Sequence, residues 1–257
     1  MILDALGALD RVVGCTRYCA DVVPGVAGDS RAILADSWTA DTSQILAVQP
    51  DLVIASVPYQ EKAVSEILKA GTRFLGLAPK TLADIFTDIA AIGGLVGEND
   101  RAEELIYSMQ RRFHEVRVRV ADVKPFRIFC EEWGKPIIAS QQWVAELVDA
   151  AGGIFVGEPG RPVSAEQILQ ENPDVFVASW CGAGDRVPLE KIAVGRGWQQ
   201  MAAVVSGRVF CIRDEFLNTP APTLLHGLDA LAWAIHPELF SRTKGIRRIT
   251  DVPASIA

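Results

Sequence analysis

The sequence lacks any long apolar run, any block of basic residues and any regular cysteine framework. No apolar run in its 257 residues reaches the roughly 18 that a membrane-spanning helix needs, so we predict a protein that does not span a membrane. A net charge of −7 without a basic block argues against a nucleic-acid partner. Five cysteines at irregular spacing do not predict a disulfide scaffold. What remains is the composition of an ordinary globular protein.

Motifs of catalysis and cofactor binding are also missing. No G-x-G-x-x-G or phosphate-binding loop follows a strand pattern, and no G-x-S-x-G turn surrounds the serines that end two strand patterns. Glu131 and Glu132 are adjacent carboxylates, but neighbouring residues of a strand point to opposite faces. Cys15 and Cys19 would need further ligands to bind zinc, and the chain has only three histidines. We therefore predict no enzyme, no catalytic residue, no resident cofactor and no metal site.

A long helical pattern over residues 81–120 has no counterpart elsewhere in the chain. Apolar residues recur there at intervals of three and four, which is the spacing of one helix face. Residues 97–100, Gly-Glu-Asn-Asp, interrupt the pattern and leave open either one kinked helix or two helices with a break near Gly97. At about 1.5 Å per residue an unbroken helix would span roughly 60 Å, far more than a crossover between two strands requires.

Two segments on either side of this helical pattern resemble each other. Residues 42–56 and 165–179 align without a gap and share Gln, Ile, Leu, Pro-Asp and Ala-Ser at equivalent positions. Each predicts a short helix, a turn and an apolar strand of the kind that is buried on both faces of a parallel sheet. The chain is therefore predicted to be an α/β protein of two Rossmann-like lobes with parallel sheets, residues 1–80 and 122–257, joined by a backbone helix over residues 81–121.

The two ends of the chain carry further expectations. Residues 11–16 have the pattern of a strand, which would place Tyr18 and Cys19 on the loop at its carboxyl end. A final helix is predicted over about residues 222–235. The last fifteen or so residues are charged and are expected to be loose.

Aromatic residues follow several of the predicted strands. Ligands of open parallel sheets bind beyond the carboxyl ends of the strands, and large rings stack on flat ligands. Trp180 occupies the position in the repeat that corresponds to residues 57–59, so the two are expected to face each other across a gap between the lobes. Each ring alone would serve equally well in a core, and Trp198 and Trp233 are assigned to packing. The predicted ligand-binding residues are Tyr18, Trp38, Tyr59, Trp133, Gln142, Trp143, Trp180, Cys181 and Phe216.

In these residues the chain resembles the substrate-binding proteins of ABC importers for cobalamin and iron chelates, and within that group the cobalamin-binding proteins. The resemblance covers nearly the whole chain. The matching motifs are short, and the resemblance rests on their order and spacing. The segments concerned are residues 10–19, 50–55, 132–136, 142–153, 218–222 and 236–238.

The resemblance implies a protein that captures a flat metal chelate, cobalamin or another corrinoid, and delivers it to the permease of an ABC importer. It implies a periplasmic or other extracytoplasmic location, whereas residues 1–7 lack the pattern of an export signal and predict a cytoplasmic chain if this start is genuine. The first strand of such proteins is expected to be missing here. Glu61 and Glu215 are the residues expected to dock on permease arginines. We expect a monomer with a small closure on binding.

Three other interpretations remain open. An iron-siderophore or haem binder would have the same plan, although the predicted ligand residues include no arginine cluster. A cytoplasmic two-lobed enzyme or metallocluster protein would use Cys15, Cys19, Cys130 and Cys181. A truncated paralogue that binds no ligand would act as an interaction module.

Overall fold

The computed structural model describes residues 1–26, 31–35, 42–56 and 61–251, and the chain divides into two compact units. Unit 1 comprises Met1–Pro79 and Ala83–Ile106; unit 2 comprises Lys80–Leu82 and Tyr107–Ala257. Within the described ranges, no helix combines the length and the apolar composition that crossing a bilayer requires.

Helices and strands alternate along much of the described chain. The α-helices are α1 (Ile2–Ala5), α2 (Arg17–Val22), α3 (Thr42–Ala47), α4 (Glu61–Lys69), α5 (Leu82–Val96), α6 (Asn99–Val120), α7 (Gln142–Ala150), α8 (Ala165–Glu171), α9 (Leu189–Gly195), α10 (Ala202–Val205), α11 (Asp214–Leu217) and α12 (Leu224–Ile235). The strands are β1 (Gly14–Thr16), β2 (Ala32–Leu34), β3 (Leu52–Ser56), β4 (Arg73–Leu77), β5 (Phe126–Gly134), β6 (Ile137–Ala139), β7 (Gly153–Phe155), β8 (Val175–Ala178), β9 (Val209–Ile212) and β10 (Ile246–Arg248). A 3₁₀-helix spans Leu9–Arg11.

Unit 1 contains two pairs of parallel strands among its described residues. β1 pairs with β2, and β3 pairs with β4 so that Ile54 lies opposite Leu75. The sequence predicts β3 to be buried on both faces, and this is wrong: the strand is half-buried and Ser56 at its end is exposed. In the part of unit 1 that the structure describes, β3 has one neighbouring strand rather than two, so less of its surface is covered.

Tyr18 and Cys19 do not lie on a loop, as the sequence predicts, but in α2. The strand before them is confined to Gly14–Thr16, and the helix begins at the next residue. Residues 17–23 contain neither glycine nor proline, so nothing stops a helix before Pro24. The first residues of unit 1 are held by Arg31, whose Nε donates to carbonyl oxygens of the 3₁₀ turn and the residue after it, at 3.2 and 3.1 Å.

The long helical pattern forms two helices, α5 and α6, which decides the alternative left open by the sequence. Gly97 lies between them with φ of 73°, a left-handed conformation that glycine adopts without strain. The amide of Glu98 donates to the carbonyl of Gly93 at 2.8 Å, which closes the end of α5. α6 then runs without interruption across the division between the two units.

Unit 2 is built on one six-stranded sheet with the order β10-β9-β8-β5-β6, in which β7 pairs with β5 beside β6. β7, β5, β8 and β9 are parallel, while β6 and β10 run antiparallel to their neighbours. β8, the strand of the second repeat, is buried at every residue, as the sequence predicts. β8 and β9 are buried at every residue, so both faces of the sheet are covered at these two strands.

The core on one face of this sheet is aromatic. The rings of Phe129 and Phe176 stack with centroids 5.9 Å apart, and Trp198 packs edge-on against Phe176 at 5.3 Å. Trp198 is completely buried, which confirms its assignment to packing. α8 begins with a capping box, since the side chains of Ser164 and Gln167 each accept a hydrogen bond from the other's backbone amide.

Residues 243–251 are more ordered than the sequence predicts. β10 pairs antiparallel with β9, and Ile246 lies buried opposite Ile212. Arg242 forms an ion pair with Asp251, whose carboxylate also accepts the amide of Arg248 at 2.7 Å. The expectation of a loose end is therefore wrong for residues up to 251, because the charges that suggested exposure are used in these pairs.

Candidate functional site

The carboxyl ends of β5, β8 and β9 lie at one edge of the unit 2 sheet, because these strands are parallel. Trp133 lies at the end of β5, and Trp180 and Cys181 follow β8. Phe216 lies in α11, directly after β9. The structure thus gathers at one edge the strand-end residues that the sequence selected in the second half of the chain. We call it the carboxyl edge.

Trp180 is held in a fixed orientation at the carboxyl edge. Its indole Nε1 donates to Oε1 of Glu131 at 2.7 Å. Its ring lies on the backbone of Gly134, where a Cβ atom would approach Cζ2 of the indole to 2.4 Å. Glycine at position 134 is therefore required for the half-buried ring to lie where it does.

Glu131 is completely buried and is neutralised by Arg196. Both oxygens of the carboxylate accept from the guanidinium, with Nη2 at 2.9 Å from Oε1, and the same Nη2 donates to the carbonyl of Gly134 at 3.2 Å. Burial raises the pKa of Glu131, and the hydrogen bonds from Arg196 and Trp180 oppose that rise. The pair thus forms a rigid polar support beneath the Trp180 ring.

A second polar cluster surrounds Cys181. Its sulfur lies 3.8 Å from Oε1 of Glu132 and 3.4 Å from Nδ2 of Asn218, while Gln141 donates to the other oxygen of Glu132 at 2.7 Å. Although Cys181 is exposed, partial desolvation of its sulfur and the charges of Glu132 and Asp214 raise the pKa of the thiol to about 12. The thiol is therefore protonated at neutral pH and is a poor nucleophile and metal ligand.

Asp214, the first residue of α11, holds the loop that carries Trp180 and Cys181. Its carboxylate accepts the amides of Gly182 and Gly184, at 2.7 and 2.8 Å. Asn218, which follows α11, donates to the carbonyl of Ser179 at 2.6 Å. α11 therefore fixes the loop after β8 at both of its ends.

The other predicted residues of unit 2 differ in how far solvent reaches them. Trp133 is 44% exposed, and its indole Nε1 donates a hydrogen bond to the carbonyl of Lys135 at 3.0 Å. Gln142 is exposed, and Phe216 is half-buried with its ring 5.1 Å from that of His226. Trp143 is buried and donates to the carbonyl of Leu217 at 2.8 Å. A ligand contact by Trp143 stays a prediction that this burial does not favour.

The predicted docking residues and the first-lobe residues lie in different settings. Glu61 is exposed at the start of α4, whereas the side chain of Glu215 is 12% exposed and pairs with Arg213. Tyr18 is 46% exposed, and its hydroxyl accepts from Arg17 at 3.0 Å. Trp38 and Tyr59 lie outside the described residues. Within the described ranges, no three histidine, cysteine or carboxylate side chains form a group that could hold a metal ion.

The sequence did not single out Arg196, Asp214 or Asn218 as parts of this edge. Each acts through a partner 30 or more residues away, such as Gly184 for Asp214 and Cys181 for Asn218. A usable signal was present only for Asp214, because the glycine-rich loop at 182–184 has exposed amides that need an acceptor.

The chain belongs to the periplasmic binding protein family, whose model matches residues 1–216. This confirms the resemblance drawn from the sequence: the chain is a substrate-binding protein of the kind that serves ABC importers, and not an enzyme. The family acts outside the cytoplasmic membrane.

Two curated relatives and one solved structure define the similarity further. The vitamin B12-binding protein of Vibrio cholerae serotype O1 is 26% identical over 236 residues, which is 88% of this chain and 81% of the relative. An uncharacterised ABC transporter substrate-binding lipoprotein of Bacillus subtilis, YvrC, is 23% identical over 249 residues, 92% of this chain and 76% of the relative. A periplasmic haem-binding protein of Pseudomonas aeruginosa has the same fold, with a TM-score of 0.85 at 17% identity over 98% of this chain and 95% of that one.

Proposed function

We propose that the protein captures a flat metal chelate, a corrinoid such as cobalamin, and delivers it to the permease of an ABC importer. The observation that carries the proposal is the carboxyl edge of unit 2, where Trp133 and Trp180 lie at the ends of adjacent strands. Aromatic rings that are partly exposed and held by hydrogen bonds offer flat apolar surface at low entropic cost. The relative from Vibrio cholerae carries the name of a vitamin B12-binding protein, which supports the choice of ligand.

The charges of the carboxyl edge favour a chelate without strongly anionic groups. Arg196 is neutralised by Glu131, and Arg213 is paired with Glu215. The exposed side chains of Cys181 and Gln142 are the neutral polar groups that would face amide groups such as those around a corrin ring. Affinity would come from stacking, and these polar groups would orient the ligand.

A haem or ferric siderophore remains the second candidate because of Arg186. Its guanidinium contacts the carbonyl of Gly182 at 3.4 Å and has no carboxylate partner among the residues that the structure describes. It lies next to the loop of Trp180, where it would attract a propionate or a catecholate. The substitution Arg186→Gln separates the two candidates, because it would weaken binding of haem and leave cobalamin unaffected.

The experiment that tests the function is direct binding. Purified protein mixed with cyanocobalamin is expected to keep the red colour through a desalting column, and calorimetry is expected to give one ligand per chain. Trp180→Ala and Trp133→Ala are each expected to weaken binding about 5- to 150-fold, since the loss of one stacked aromatic ring costs about 1–3 kcal/mol. Trp233→Phe, in α12, is the matched control and should bind as the parent does. Binding of haem or a ferric siderophore instead of cobalamin would overturn the corrinoid assignment.

We also propose that Glu61 docks on the permease, with Glu215 as the second contact. Glu61 is exposed at a helix start, while Glu215 would have to exchange Arg213 for a permease arginine. Charge reversal at Glu61 is expected to abolish import without changing ligand affinity, and the reversal of Glu66 in the same helix serves as the control. Normal import by Glu61→Lys would remove this residue from the docking surface.

A further inference from the structure

A pocket of about 220 Å³ lies in unit 2 at the amino ends of the parallel strands, the sheet edge opposite to the carboxyl edge. Phe126 begins β5, Arg208 precedes β9, and Arg248 ends the antiparallel β10, paired with Phe210. Trp233 of α12 completes the aromatic wall. Nothing in the proposed capture of a chelate uses this pocket.

Two guanidinium groups line the pocket, and each lies against an aromatic ring. Cζ of Arg208 is 4.0 Å from the centroid of Phe126, and Cζ of Arg248 is 5.9 Å from that of Phe210. Phe210 in turn packs edge-on against Trp233, with centroids 5.6 Å apart. The rings fix the planes of the two guanidinium groups and give the pocket an apolar wall.

Backbone carbonyl oxygens hold both arginines without neutralising them. Arg208 donates from Nη2 to the carbonyl of Ala234 at 3.1 Å, and Arg248 donates from Nε to that of Gly207 at 2.6 Å and from Nη2 to that of Ser206 at 3.2 Å. Neither forms an ion pair with a carboxylate of the described chain. Among the described residues, Nη1 of each guanidinium has no hydrogen-bond partner and can therefore donate to a ligand.

The pocket also has a defined balance of charge. Burial lowers the pKa of Arg208, the charges of Asp174 and Glu238 raise it, and the charge of Arg248 lowers it. Glu238, on the pocket rim, lies 3.3 Å from Nδ1 of His236 and is 61% exposed. Two like charges that share a partly desolvated pocket are stabilised by an anion between them.

We propose that this pocket is a second binding site, for a small anion that carries a flat apolar group, such as an aromatic carboxylate. The two guanidinium groups bind the carboxylate through charge-assisted hydrogen bonds, and the ring of the ligand lies along Phe210 and Trp233. The pocket volume of about 220 Å³ equals the space of about seven water molecules, which suits a ligand as small as a single-ring aromatic carboxylate.

The test compares benzoate with benzamide, which has the same shape and no charge. In calorimetry on the full chain, benzoate is expected to bind at one site and benzamide to bind at least about tenfold more weakly. Binding that is equal for both ligands, or absent for benzoate, overturns the proposal. Inorganic phosphate is the third probe: if it binds as tightly as benzoate, the apolar part of the proposal is wrong.

Three variants link the binding to this pocket. Arg248→Gln is expected to weaken benzoate binding about tenfold, and Glu238→Gln to strengthen it severalfold, because the second removes a negative charge from the rim. Arg242→Gln is the matched control: Arg242 lies over the ring of Trp233 at 5.2 Å but does not line the pocket. Since Arg248→Gln also removes bonds to the 206–207 turn, the opposite sign expected for Glu238→Gln keeps the proposal falsifiable. A weakening by Glu238→Gln, or an equal loss in Arg242→Gln, overturns it.

Discussion

Replacing Arg196 by methionine removes the only cation that pairs with the buried carboxylate of Glu131 in the described structure. The variant loses both guanidinium contacts to the carboxylate and the bond to the carbonyl of Gly134. Only the indole of Trp180 still donates to Glu131, at 2.7 Å. Methionine fills much of the space of the arginine stem, so the change isolates the loss of charge pairing from the loss of packing.

The expected cost is large because Glu131 is completely buried and the Arg196 side chain is only 13% exposed. Removing one partner of a buried ion pair costs about 3–5 kcal/mol, since the other charge stays buried without compensation. For a folded unit of this size that corresponds to a fall in Tm of roughly 10 °C. The double variant Glu131→Gln with Arg196→Met is expected to recover more than half of the loss, because no charge is then buried.

The pH dependence has a definite sign. Burial already raises the pKa of Glu131 in the folded protein above its ordinary value, and Arg196 opposes this. Without Arg196 the folded-state pKa rises further above that of the unfolded chain. The penalty is then fully present at pH values above the folded pKa and disappears as the pH falls towards the unfolded pKa. The deficit of Arg196→Met is therefore expected to shrink between neutral and mildly acidic pH.

Urea denaturation at neutral and mildly acidic pH measures these effects, followed by tryptophan fluorescence. Arg161→Met is the matched control, because Arg161 pairs with Glu158 at 3.4 Å while the two side chains are 69% and 77% exposed. It is expected to cost less than about 1 kcal/mol. A loss below about 1 kcal/mol in Arg196→Met, or a deficit that grows on acidification, would refute the reasoning about the buried pair.

Three further predictions concern the carboxyl edge. Gly134→Ala is expected to displace the Trp180 ring and cost about 1–3 kcal/mol, seen as a changed near-ultraviolet circular dichroism spectrum; an unchanged spectrum would contradict the 2.4 Å approach. Asp214→Ala is expected to speed amide hydrogen exchange at Gly182 and Gly184, because both amides lose their acceptor. Asp214→Asn keeps one acceptor oxygen, so the same amides should exchange more slowly than in Asp214→Ala. Cys181, with its pKa raised to about 12, is expected to react with iodoacetamide roughly 30- to 60-fold more slowly than a free thiol at neutral pH, because the fall in thiolate fraction is partly offset by the greater nucleophilicity of a thiolate of high pKa. Fast alkylation there would disprove the shift.

Much of the fold follows from patterns that are local in the sequence. The repeated helix and strand appear as α3 and β3 and again as α8 and β8, because a short amphipathic helix and an apolar run each specify their own conformation. The break at Gly97 was visible for the same reason. β10 was missed, since its residues carry charge and become a strand only by pairing with β9, more than 30 residues earlier in the chain.

The carboxyl edge shows where such prediction stops. Strand ends correctly placed Trp133 and Trp180 at one edge, because parallel strands bring their carboxyl ends together. Side chains alternate between the two faces of a strand, so Glu131 and Glu132 were correctly predicted to point in opposite directions. The structure gives each its own partner, Arg196 for Glu131 and Gln141 for Glu132. What no local pattern contains is the identity of those partners: Arg196 follows a short helix 65 positions after Glu131 and has the sequence context of a surface residue. Whether a charge in a strand is a binding group or a support for one is decided by such long-range pairs, so the chemistry of the site had to come from the structure.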